Sequence, residues 1–408
     1  MSTFDLRVSR LGRRRVGAAA FFCGIALLVA HCAIAAPFVP TDPNQILEKL
    51  APRTGPDWEA IAALRAELAR RTDCRDCRSA IAAQIVERYL ALFRAQGDPR
   101  LVAYAERELE PWSAERDPPI SIALQRAEIA QLMHRFDAAR AELERLLGRT
   151  PRDGQAWLTL AAIDLTRGDY AASRAACSRL VLLQDAVVAG GCLAAARAVT
   201  GDAGGAYQFL EGALREPDGF DPVLAVWLET LAAETAEALG RGADAARHYR
   251  AALDASGAAP SVYLLVDYAD FLLREGHPRA AIELLAGAPP ADPVLLRLAL
   301  AERRTGASWD ALREQLGYRL QLALDGLDRT HAREAAYFAL YLSDDPRRAL
   351  DSAVANWAVQ REPVDARLLL EAALAAGRRD AAYPVVEWLD ANRVEHADLE
   401  RLRARLGS

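Results

Sequence analysis

ISIALQRAEIAQLMHRFDAARAELERLLGRTP, residues 120–151, is followed at once by RDGQAWLTLAAIDLTRGDYAASRAACSRL, residues 152–180, and the two carry one pattern in one register. In the first, Ala123, Ala127 and Ala130 precede a turn at His134 and Arg135, after which come Phe136, Ala139, Leu143, Leu146 and Pro151. The second restarts at Gly154 with Trp157, Leu160 and Ala161, turns at Gly168-Asp169-Tyr170, and continues through Ser173, Cys177 and Leu180. Apolar residues three and four apart predict helices. Small residues recur where two helix axes must approach, and larger ones fill the spaces beside them. Gly168 predicts the end of a helix, because glycine tolerates the left-handed conformation that a short helix-helix turn requires.

Composition points the same way. Of 408 residues 52% are hydrophobic and only 7% aromatic, with Ala and Leu abundant, which suits helix-on-helix packing and predicts an all-α chain. The formal charge is -6; Arg7, Arg10, Arg13, Arg14 and Arg15 against Asp5 give the leader +4, leaving about -10 on the rest. That sign argues against a nucleic-acid-binding body, whose footprint would be basic, and leaves room for local basic patches. Lys49 is the only lysine, so the positive charge is almost wholly arginine.

The repeated helix-turn-helix resembles the tetratricopeptide repeat family, whose unit is about 34 residues of paired helices with a W-x2-L-G-x2-Y opening, a later small residue and a closing proline. Further units are expected to open near Val187, Val226, Val262, Asp292, Thr330 and Pro363. Their turns fall at Gly201-Asp202, Gly240 to Gly242, Gly276-His277-Pro278, Gly306, Asp344-Asp345-Pro346 and Gly377. Small residues follow at Ala206, Ala245, Ala281, Ala311, Ala349 and Ala382. The resemblance implies an α-α superhelix, a right-handed solenoid of about nine helix pairs, in which each helix contacts mainly its neighbours in sequence.

Residues 1–35 are expected to be a secretory signal peptide, with a basic region ending at Arg15, an apolar run from Val16 to Ala30 and a small-x-small site at Ala33-Ile34-Ala35. Cleavage would leave a periplasmic protein; an uncleaved segment would anchor it to the membrane instead. Residues 36–56 form an extended proline-rich lead-in, with a helical turn or two around Gln45 to Leu50. A degenerate repeat region follows over 57–115, with helices from Asp57 to Arg70 and from Arg78 to Gln96. The array proper is expected over 116–390. Residues 391–408 hold a capping helix at Ala397 to Leu406, which hides the last apolar face.

Residue chemistry argues against most catalytic classes. No histidine pair has metal-ligand spacing on one helix, so neither a metal nor a cofactor is expected. Gly240-Arg241-Gly242-Ala243-Asp244-Ala245 meets a dinucleotide-binding spacing but falls at a repeat turn with no strand before it. Glu234 and Glu237 are the candidate general acids of the alternative reading, a glycan-cleaving helical superhelix, although no segment is long enough to add the compact domain such an enzyme needs. Cys74-Arg75-Asp76-Cys77 reads as a local disulfide or thiol pair in the loop before the second helix, as a redox pair, or as unpaired thiols. Cys177 and Cys192 lie on helices that stack as neighbours, and a disulfide joins them if their Cα atoms come within about 7 Å.

Finally, the resemblance implies a concave groove lined by the first helix of each unit, in which a protein or peptide partner is held, with no enzyme activity and no small-molecule substrate. Carried onto this chain, the groove positions are Trp227, Tyr263, Asp270, Arg274, Arg303, Arg304, His331, Glu334, Phe338, Tyr341, Arg367 and Glu371. Rings beside charges of both signs suit a peptide, since aromatics and arginine carry much of the energy at interfaces.

Overall fold

The structure, a computed structural model, describes residues 53–183, 186–215, 220–325 and 331–407. The expected signal peptide and the helical turns of the lead-in lie outside the described residues. The chain divides into Met1–Arg53 and Thr54–Ser408, and the fold described below is that of the second unit.

Twenty α-helices and no strand occur among the described residues. Three come first: α1 (Pro56–Arg70), α2 (Arg75–Gln96) and α3 (Arg100–Leu109). Eight pairs follow. They are α4 (Ile120–Leu132) with α5 (Phe136–Arg149), α6 (Gly154–Arg167) with α7 (Tyr170–Leu180), α8 (Ala186–Ala198) with α9 (Ala203–Ala213), and α10 (Pro222–Ala238) with α11 (Gly242–Ser256). Then come α12 (Val262–Arg274) with α13 (Pro278–Leu285), α14 (Asp292–Thr305) with α15 (Asp310–Asp325), α16 (Ala332–Tyr341) with α17 (Pro346–Trp357), and α18 (Pro363–Ala375) with α19 (Tyr383–Asn392). Last is α20 (Ala397–Gly407), whose buried Leu399 and Leu402 close the apolar face of the final pair.

The turns work as their residue types dictate. Gly168 takes φ +80° and closes α6, and the side chain of Asp169, next in sequence, caps α7 by accepting the Ala172 N–H at 3.1 Å. Asp202 and Asp345 cap their helices in the same way. Within the pairs, Ala123, Ala127 and Ala139 are buried against Leu143 and Leu146, which are fully enclosed, and Ser173 donates to the Ala161 carbonyl at 2.9 Å. Small residues thus let the axes close, and the leucines fill what remains.

Three boundaries differ from the sequence expectation. α1 begins at Pro56, one position before Asp57, because proline's fixed φ suits a first helical position. α2 begins at Arg75, not Arg78, because Cys74 takes the capping position. α10 begins at Pro222, four positions before Val226, because Asp221 accepts the Val223 and Leu224 N–H groups.

The contact pattern also departs from a strictly one-dimensional array. The Arg361 N–H donates to the Thr166 carbonyl at 2.8 Å, and Tyr170 donates its hydroxyl to the Arg361 carbonyl at 2.9 Å, 191 positions on. Thr166 reaches Glu362 at 3.3 Å across 196 positions, and Tyr170 packs into the core of α16 to α20. A Cβ built at Gly168 would stand 3.1 Å from Cδ of Arg361, a close approach that glycine eases. Nearly the same offset brings Gly201 against Arg393. The curve therefore returns upon itself, and the later winding zips onto the earlier one.

Candidate functional site

The first helices of the later pairs share a polar face, and its position follows from one contact that skips a repeat. Tyr337 on α16 donates to Asp270 on α12 at 3.1 Å, past the intervening pair, which places both on the inside of the curve. Along α12 the same face carries Tyr263, Asp267, Asp270 and Arg274, at helical spacing of four, three and four.

The deepest element of this face is an ion pair. Asp270 and Arg297 are 6% and 3% exposed and meet in two bonds, Nε to Oδ1 at 3.1 Å and Nη2 to Oδ2 at 2.6 Å, with the guanidinium 4.2 Å from the centre of the Tyr337 ring. Burial alone would raise the Asp270 carboxyl; Arg297, Arg367 and Arg274 together hold it below its ordinary value. A second such element joins α16 to α18, where Arg333 pairs with Asp365 at 2.7 Å and with Glu362 at 2.6 Å. Asp365 is 1% exposed and also accepts from Asn356 at 2.6 Å.

Beside these matched charges lies an unmatched group. Glu234 accepts the Tyr263 hydroxyl at 2.5 Å, and the Tyr249 hydroxyl stands 2.7 Å from Glu237 and 2.8 Å from Asp267. One phenol carries one proton, so two carboxyl oxygens at that range require a proton on one of the acids. Burial, and then the charge of Asp267, raises Glu234 above the ordinary carboxylate range; burial also raises Asp267, against its bond from Tyr249 and the pull of Arg274, and Glu237, against the pull of Arg274. Glu237 is paired with Arg274, whereas among the described residues no arginine is in ion-pair contact with Glu234 or Asp267. The Tyr263 ring is 61% exposed beside them.

The expected groove residues divide into two sets. Tyr263, Asp270, Arg274, Tyr341, Arg367 and Glu371 come together on the inner face: Tyr341 donates to Glu371 at 2.5 Å, and Arg274 and Arg367 approach Asp398 of α20 at 3.5 and 4.0 Å. His331 precedes α16, and Glu334 lies on its first turn, within electrostatic reach of His134 in the α4–α5 turn. Trp227 is instead half-buried over α8, where a Cβ at Gly191 would come within 2.8 Å of its ring. Arg303 donates to the Tyr341 carbonyl at 2.6 Å and pairs with Asp344 at 2.8 Å; Arg304 donates to the Leu273 carbonyl at 2.6 Å. Both arginines thus cap the ends of neighbouring helices. Phe338 lies between α15 and α16, lining a cleft of about 420 Å³ with Tyr318 and Arg313.

Sequence reasoning missed Asp267, Arg297, Arg333 and Tyr337. Asp267 was readable as the residue one helical turn beyond Tyr263, and Tyr337 as one turn before Tyr341. The sulfur atoms of Cys74 and Cys77 stand 2.03 Å apart and those of Cys177 and Cys192 1.99 Å apart, with Cα separations of 5.3 and 5.6 Å. Among the described residues no group of three or more His, Cys, Asp and Glu side chains is placed to hold a metal ion, and no helix is long and apolar enough to cross a membrane.

No protein-family model matches the sequence, and no curated protein matches it. Solved structures do. The chain is similar to one in the APC/C hetero-tetramer Cut9-Hcn1, with a TM-score of 0.52 and 12% identity over 86% of this chain and 66% of that one. It also aligns with a tetratricopeptide repeat protein from Parabacteroides merdae, at TM-score 0.43 and 14% identity over 64% of this chain and 91% of that one. The human IFIT1 dimer with m7Gppp-AAAA gives a TM-score of 0.47 and 15% identity, over 85% and 86% of the two chains. At 12% identity the likeness to the Cut9-Hcn1 chain is one of fold, and it agrees with the helix pairs, glycine turns and alanine contacts above: the chain folds as an α-α solenoid of the tetratricopeptide-repeat type.

Proposed function

We propose that the protein is an exported, periplasmic scaffold that captures a protein or peptide partner on the inner face of α10 to α18, in assembly or secretion at the cell envelope, and has no enzyme activity of its own. The observation that carries this reading is the exposed Tyr263 ring beside the carboxyls of Glu234 and Asp267, neither of which is in ion-pair contact with an arginine among the described residues. An exposed aromatic supplies apolar contact at small entropic cost, and a carboxyl pair outside any ion pair favours a cation over an anion. A lysine- or arginine-bearing segment satisfies both.

The glycan-cleaving alternative needs an acid free to meet a substrate. Glu237 is held by Arg274, and no segment is long enough to add the compact domain such an enzyme needs, which favours the scaffold. The test is binding of a labelled lysine-rich peptide and of its glutamate-rich counterpart to the purified protein. The reading expects saturable, salt-sensitive binding of the first alone. Equal binding of both, or of neither, rejects it.

A further inference from the structure

The two disulfides differ in what they join. Cys177 on α7 and Cys192 on α8 are 0% and 6% exposed, and their bond ties two packed helices together. Cys74 and Cys77 lie only 3 positions apart, at the very start of α2, and both are partly open to solvent. The backbone already closes this turn, for the Arg78 N–H donates to the Cys74 carbonyl at 3.0 Å. A covalent bond across so short a loop removes little entropy from the unfolded chain and connects no two elements.

Its surroundings favour chemistry over bracing. Cys74 is the capping residue of a 22-residue helix, and its sulfur accepts the Cys77 N–H at 3.2 Å. A thiolate at that position receives a charge-assisted hydrogen bond and the positive end of the helix dipole. Arg78, one residue beyond, is held in place by the Leu68 and Arg71 carbonyls, each at 3.1 Å, so its charge stays beside the turn. Asp73 and Asp76 oppose it, but both are exposed and screened by solvent.

We propose that the Cys74–Cys77 disulfide is a site of thiol–disulfide exchange with a dithiol-bearing partner, independent of the inner face. A thiolate of the partner bonds to Sγ of Cys77, the Cys74–Cys77 bond breaks, and the electron pair leaves on Sγ of Cys74, where the Cys77 N–H and the helix terminus hold the charge. The partner's second thiol loses its proton to water and attacks the mixed disulfide. This expels Cys77 as a thiolate, which takes up a proton. The partner's dithiol is oxidised to a disulfide by two electrons, and this pair is reduced by the same two.

The test uses the full oxidised protein under native conditions, with dithiothreitol as the dithiol, iodoacetamide as the trap and peptide mapping as the readout. Cys74 and Cys77 are expected to be alkylated at a dithiothreitol concentration at least about tenfold below that needed for Cys177 and Cys192. In the Cys77→Ser variant, the alkylation rate of Cys74 should reach half its maximum below the ordinary thiol value of about 8.5. The Cys74→Ser, Cys77→Ser double variant should keep its thermal midpoint within about 2 °C of the parent. Simultaneous opening of the two pairs, prior opening of Cys177–Cys192, a half-maximum at or above 8.5, or a larger loss of midpoint would each overturn the proposal.

Discussion

Trp388 donates its indole N–H to the hydroxyl oxygen of Tyr170 at 2.9 Å, across 218 positions of sequence. Both residues are buried, at 6% and 4% exposure, and the same hydroxyl donates onward to the Arg361 carbonyl. One side chain therefore satisfies two groups of the later winding. Tyr170→Phe keeps the ring and its packing but strands the indole N–H and the carbonyl. A loss of about 1–3 kcal/mol is expected in urea unfolding. A variant as stable as the parent would show that the windings are not held together there.

The seam should also make unfolding cooperative. In a one-dimensional array terminal repeats melt first and singly, whereas here the last pairs share a core with Tyr170 of the first half. Hydrogen exchange is expected to protect α6–α7 and α18–α19 to a similar degree. Exchange that falls steadily toward the C-terminus would contradict this.

Asp270 and Arg297 pose a sharper question of energy. Asp270→Ala leaves a guanidinium enclosed at 3% exposure without its counter-charge, and breaking such a pair costs about 3–5 kcal/mol. Adding Arg297→Met should recover much of that loss, since the cost lies in the orphaned charge. Denaturant midpoints of the two variants measure it; no recovery in the double variant would point to packing instead.

How much of this was legible depends on distance along the chain. Gly168-Asp169 announces both a helix end and a helix start, and the stripe of Tyr263, Asp270 and Arg274 follows from helical spacing within one element. The start of α10 was readable too, because Asp221-Pro222 is a capping residue followed by a first-turn proline. Arg303 and Arg304 have the composition of an interface, and only the structure reveals that helix-end carbonyls hold them. The seam between Thr166 and Arg361 joins residues with no shared local pattern, so no periodicity could report it.

The acid group gives a pH dependence of definite sign. Glu234 has a raised pKa in the folded chain, so its protonated form stabilises the fold below the unfolded value of about 4.3, and that contribution is lost as pH rises through the folded value. Glu234→Gln removes the cost of ionisation. The variant should be more stable than the parent at pH 7.5, with the difference vanishing as pH falls below the unfolded value of about 4.3. Thermal melts on both sides of that value test this, and a variant less stable at pH 7.5 would show that the ionised carboxylate is favourable.

The role of the inner face is tested most directly by the affinity of one labelled lysine-rich peptide for the parent and for the Tyr263→Ala, Glu234→Gln double variant, read by fluorescence anisotropy, with circular dichroism confirming that both are folded. Loss of the exposed ring and of the carboxyl it engages should weaken binding at least about tenfold, or roughly 1.4 kcal/mol. Unchanged affinity in the folded double variant would contradict the assignment of the partner site to this face.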